Sequence, residues 1–92
     1  MNQCLKISFH VDKPQSVLEA LIRKRATELG IEGMVQAIDQ RSVNIVACST
    51  RENLENFLDT LHREAVVGVL QNIAVEPLLK NKDYRGVFRI ID

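Results

Sequence analysis

The chain has 92 residues, the size of a single hydrophobic core and too short for two. Apolar residues make up 46% and charged residues 26%, ordinary globular usage that excludes disorder and a fibrous repeat. Its 12 Lys and Arg balance 12 Asp and Glu, so no overall field draws it to nucleic acid or to an anionic membrane, and any binding must come from a local site.

With three Phe, one Tyr and no Trp, the core is expected from Leu, Ile and Val, and rings for stacking bases or sugars are scarce. No window approaches the roughly 18 apolar residues of a membrane span, and residues 1–10 alternate instead of forming a leader's apolar core. A soluble cytoplasmic protein, one domain over residues 1–92, is the expectation.

Leu5, Ile7, Phe9 and Val11 alternate with Lys6, Ser8, His10 and Asp12, which predicts a first strand buried on one face. A helix of about four turns follows, with Val17, Leu18, Leu21, Ile22, Arg25 and Leu29 on one side and Gly30 at its end. Pro14 as a first-turn proline and Ser16 with Glu19 as a capping box both signal its start, a few residues apart.

Residues 33–38 and 42–48 read as an antiparallel hairpin closed by Asp39, Gln40 and Arg41. Ser49 to Glu52 forms a second capping box, and Leu54, Phe57, Leu58 and Leu61 give a one-sided helix to about Arg63 or Glu64. Residues 66–75 read as a fourth strand stopped by Pro77, residues 80–83 as a loop, and 87–91 as a terminal strand. The order is βαββαβ plus a final strand. It predicts an α+β ferredoxin-like sandwich: an antiparallel sheet with two helices on one face and a C-terminal edge strand.

The strings Leu29-Gly30-Ile31-Glu32-Gly33-Met34-Val35 and Ser42-Val43-Asn44-Ile45-Val46-Ala47, with Asn56-Phe57-Leu58, Leu61 and a closing Tyr84-Arg85-Gly86-Val87-Phe88-Arg89-Ile90, resemble the acylphosphatase family over nearly the whole chain. The resemblance implies metal-free hydrolysis of acyl phosphates, without a cofactor. A glycine-rich loop ending in arginine would cradle the phosphoryl oxygens, and an asparagine would hold the attacking water.

Lys13 to Glu19 occupies the cradle's place. The loop glycines are absent, Gln15 and Val17 carry side chains where the backbone would approach the anion, and Pro14 has no N–H to offer. Glu19 stands at the arginine's position and Ala37 at the asparagine's. Losing one such donor costs a factor of about 10² to 10³. A carboxylate about 4 Å from a phosphoryl charge adds repulsion on the order of 4 kcal/mol at an effective dielectric near 20.

The expectation is therefore a family member without catalytic residues that serves as a binding or protein-interaction module. The alternative is an active enzyme with a relocated cation, Lys13 or Arg23. Anion-binding candidates are Lys13, Gln15, Ser16, Val17 and Arg23.

Other constellations point to structure. Arg23 lies four residues after Glu19, a supportive helix pair. Arg23, Lys24 and Arg25 spread around the helix, and Glu19 and Glu28 dilute them as a nucleic-acid patch. His10 and His62 lack partners at metal spacing, so no metal is expected. Ser16 has no nucleophile elbow around it.

Cys4 and Cys48 are too few for a disulfide scaffold and read as reduced thiols. The implied fold makes strands one and three antiparallel neighbours, so a reversible bridge under oxidation is the second reading. On the helix-free face Met34, Ile38 and Val46 could seed a homodimer or receive a protein partner. The lack of aromatics there argues against RNA.

Overall fold

The structure, a computed structural model, describes residues 3–12, 18–78 and 87–91, the side chains of 18–20 excepted. Strands β1 (Gln3–His10), β2 (Glu32–Ala37), β3 (Ser42–Ser49), β4 (Gln71–Pro77) and β5 (Phe88–Ile91) form one sheet in the order β4-β1-β3-β2-β5. Helix α1 (Lys24–Glu28) follows a π-helical turn, Leu18–Arg23, and α2 is Arg51–Val66.

Alternation decides which face is covered. Ile7, Phe9, Val11, Val35, Val43, Ile45 and Ala47 are buried, and so are Ile22, Ala26, Leu54, Phe57 and Leu61 from the helical segments; together they form one cluster. The Phe57 ring meets Phe88 edge to face at 6.5 Å, tying β5 to α2 with about 1 kcal/mol beyond area burial. The α+β ferredoxin-like sandwich expected from the element order is the architecture observed. β1 and β4 flank the pairing antiparallel, as do β2 and β3, but β5 lies parallel to β2. The terminal strand is an edge strand as expected, and the sheet is mixed, not wholly antiparallel.

Both helices end on the same backbone device. At α1, Gly30 N–H donates to Thr27 O and Ile31 N–H to Ala26 O; at α2, Gly68 N–H donates to Ala65 O and Val69 N–H to Glu64 O. These bond pairs need a left-handed residue in the middle, and Gly68 supplies it at φ 85. This corrects the boundary expected at Val66: Val66 is the last residue of α2, and β4 begins only at Gln71. The β-branched run 66–67 looked like strand, but the glycine two residues on places the turn.

The α2 cap also moves by one residue. Thr50, not Ser49, accepts from Asn53 N–H, at 3.3 Å, while Ser49 is buried at the end of β3 and gives its hydroxyl to Gly30 O. The first helix, expected as continuous α-helix of about four turns, opens instead with the π-helical turn. Its predicted cap at Pro14 and Ser16 lies outside the described residues, as does the loop 80–83.

Cys4 and Cys48 are register partners of β1 and β3, both buried, and are joined by a disulfide. The reduced-thiol reading is thereby corrected, because direct cross-strand register leaves the two sulfurs facing each other. The bridge closes a loop with a sequence separation of 44, which in the chain-entropy account stabilises the fold by about 4 kcal/mol. Denaturant unfolding with and without a thiol reductant should show the reduced form less stable by about 2 to 4 kcal/mol; equal midpoints would contradict a bridge in the native protein.

Candidate functional site

The end of the sheet where β1 runs out, the β2–β3 hairpin turns and β4 begins holds a polar cluster built from local backbone demands. Asp39 Oδ1 accepts the N–H of Arg41 and of Ser42, each at 2.8 Å. This side-chain mimic of a turn sets the hairpin, and Ile38 N–H closes it on Ser42 O at 2.8 Å. The Arg41 N–H bond, more than the Ser42 bonds and the nearby His10, holds the Asp39 carboxyl below the ordinary aspartate value against an opposing effect of burial.

The hairpin is tied to the strand that leads into the 13–17 segment. Val11 N–H donates to Arg41 O at 2.8 Å, and Arg41 Nη2 donates to Asp12 Oδ1 at 3.0 Å. The ion pair is mostly exposed on both sides and stabilises by at most about 1 kcal/mol. Its value is positional: it holds the hairpin's guanidinium against the end of the β1 segment.

On the other side of β1, pairing with β4 shifts register between Ser8 and His10, and Asn72 takes φ 56, a left-handed value that asparagine tolerates. The irregularity brings Asn72 Nδ2 within 3.0 Å of His10 Nδ1. An amide nitrogen only donates, so Nδ1 accepts and neutral His10 carries its proton on Nε2. His10, residues 39–42, Gln71 and Asn72 line an open cleft of about 590 Å³.

Ala37 ends β2 opposite Val43. It is half-buried against the core, and its methyl offers neither a lone pair nor an N–H to a water. Lys13, Gln15, Ser16 and Val17 lie outside the described residues, as does the side chain of Glu19, so the expected Glu19–Arg23 pair does too. Arg23 closes the π-helical turn, exposed, two elements away from Arg41. Sequence reading missed Arg41, which looked like a hairpin residue only, and Asn72, which lay inside an alternating strand. The signal for the first was the spacing of Asp39 and Ser42, an Asx-turn pattern.

Among the described residues no three of His, Cys, Asp and Glu gather as a metal site, and no helix is long and apolar enough to cross a membrane.

Comparison with known proteins agrees with this geometry. The acylphosphatase family model matches residues 19–90, and the chain belongs to that family. The match begins at Glu19, so it leaves residues 13–18 outside. The acylphosphatase of Coxiella burnetii superposes with a TM-score of 0.82 at 22% identity, covering 98% of this chain and 93% of that one. The Bacillus subtilis acylphosphatase gives 0.82 at 17% identity over the full length of both. The same fold occurs inside larger proteins: HypF matches all of this chain over 12% of its own, at 17% identity and a TM-score of 0.76. No curated protein matches the chain significantly.

The Asp39 geometry predicts a carboxyl carbon titration midpoint below that of an unstructured aspartate, followed by NMR. Since the folded value is depressed, the turn's contribution to stability is present above the unfolded value and lost as pH falls through the folded one. An Asp39 midpoint at or above the unfolded value would contradict the two N–H bonds.

Proposed function

We propose that this acylphosphatase-family domain no longer hydrolyses acyl phosphates and serves as a binding or protein-interaction module. The observation that carries the reading is Ala37. At the end of β2, where the family's water-holding asparagine would stand, the chain presents a methyl packed on the core. The sequence adds Glu19 at the arginine's place and a cradle without glycines. With two functions missing, each costing a factor of about 10² to 10³, turnover falls toward the uncatalysed rate.

Benzoyl phosphate incubated with the metal-free protein should decay at the background rate, and Glu19→Arg with Ala37→Asn should raise it measurably while leaving the fold intact by circular dichroism. Rapid turnover by the unmodified chain, lost on changing Lys13 or Arg23, would replace this reading with an active enzyme.

The interaction surface in this reading is the helix-free sheet face, with a second copy of the chain as its occupant. Met34 and Val46 are cross-strand partners there, and Ile38, 55% exposed, follows just past the end of β2. Lys6 is paired with Glu76 across β1 and β4, while Glu32 and Arg89 lie toward the other edge. Two charges of each sign suit a two-fold contact in which each copy sets cations against anions. Sedimentation equilibrium should show a dimer with a dissociation constant between about 1 μM and 1 mM, lost in Val46→Lys. A monomer throughout that range would remove the self-association surface.

A further inference from the structure

A second polar cluster lies on the helical layer, where Arg25 of α1 meets α2. Arg25 of α1 and Asn56, Asp59, His62, Arg63 and Val66 of α2 line an open cavity of about 480 Å³. Positions 56, 59, 63 and 66 follow the three-and-four spacing of one helical stripe, flanking the inward stripe of Leu54, Phe57 and Leu61.

Behind two of the lining side chains, Arg25 and Arg63, lies Thr60, 6% exposed. Its hydroxyl donates to Asn56 O at 3.2 Å, which leaves its two lone pairs. Both are claimed by guanidinium groups: Arg25 Nε donates at 2.9 Å and Arg63 Nη2 at 3.4 Å. Two like charges thus converge on one neutral oxygen. Arg25 has a carboxylate outside the groove, Glu28, at 3.2 Å. Arg63 takes part in none of the ion pairs among the described residues, and Asp59 is the one carboxylate on the lining.

With Arg25 held by Glu28 and Arg63 exposed, the repulsion between the two is modest, and a negative group between the forks would turn it to attraction. Most of the N–H groups of Arg63 are uncommitted. His62 Nδ1 lies 2.8 Å from Leu58 O, and a carbonyl only accepts, so the proton is on Nδ1 and Nε2 alone is open to a ligand.

We propose that the Arg25–Thr60–Arg63 groove binds a phosphoryl dianion, either free or as a small phosphomonoester. A carboxylate has two oxygens and satisfies one guanidinium fork, whereas a phosphoryl group has three terminal oxygens and a double charge, enough for both forks at once. Val66, 87% exposed at the end of the groove, offers the ester's carbon part an apolar contact. The site is independent of the hydrolysis reading, because it uses no residue of the cradle or of the β2–β3 hairpin.

The test is an NMR titration of the full chain with inorganic phosphate and, separately, with glycerol phosphate. Saturable shifts at Thr60, Arg25 and Arg63 are expected, with a dissociation constant on the order of 1 mM. Arg63→Gln should weaken binding about tenfold, and Arg51→Gln, whose side chain pairs with Glu55 elsewhere on α2, should leave it unchanged. Tighter binding of glycerol phosphate supports the proposal with an ester as ligand, and tighter binding of phosphate supports it with the free ion. Shifts confined to Val11, Asp12 and Ala37 with Thr60 unmoved would overturn it, as would equal affinity in Arg63→Gln or no saturation. A Thr60→Val variant guards against a misfolded Arg63 variant: loss of binding with an unchanged amide spectrum supports the site, and retained binding overturns it.

Discussion

The inward row of β3 is the constraint on which the rest of the structure depends. Val43, Ile45 and Ala47 are fully buried, and β3 is the middle strand of the sheet, held by uninterrupted antiparallel ladders to β1 on one side and β2 on the other. A one-residue slip of β3 would turn this row to the helix-free face and bring Asn44, Val46 and Cys48 inward. The disulfide opposes the same slip covalently, since Cys48 meets Cys4 only in this register. Apolar burial and the bridge therefore select one alignment for independent reasons. The hairpin end of β3 inherits it, so Arg41 meets Val11 and Asp12 because Val43 meets Phe9.

How far the sequence reveals this depends on the range of the interaction. The faces of β1 and α2 were legible because burial obeys a local period: Ile7, Phe9 and Val11 are buried, and so are Leu54, Phe57 and Leu61. The end of α2 was not, because Val66, Val67 and Val69 favour strand locally while Gly68 lets the backbone turn. The direction of β5 was hidden for another reason. A four-residue edge strand carries no marker of parallel or antiparallel pairing, and its choice follows from where Phe88 can reach Phe57. The candidate site was half legible. Glu19 and Ala37 stand out against the family pattern in one dimension, but the approach of Asn72 to His10 spans 62 positions and depends on a register shift that no local pattern encodes.

The polar groups are distributed unevenly, and that distribution carries the functional argument. At the sheet end nearest the family's catalytic position, the described cation is Arg41, and its charge is already answered by Asp12 at 3.0 Å, with Asp39 ionised in the adjoining turn. Among the described residues, charge at this end is balanced, Arg41 against Asp12. Between the helices Arg25 is likewise answered by Glu28 at 3.2 Å, but Arg63 is in none of the ion pairs among the described residues, and the oxygen at which both guanidiniums meet is an uncharged hydroxyl.

Thr60 sits beside the apolar stripe of α2, where a valine of equal shape would bury without any polar demand. The hydroxyl has every hydrogen-bonding position used, and bonds accepted from charged donors contribute favourably to stability. Its physical effect is to hold Arg25 and Arg63 from different helices at one point, which aliphatic packing could not do, since guanidiniums left to themselves would extend apart into water. One hydroxyl thereby joins the two helices through their charged side chains and sets where those charges stand at the surface.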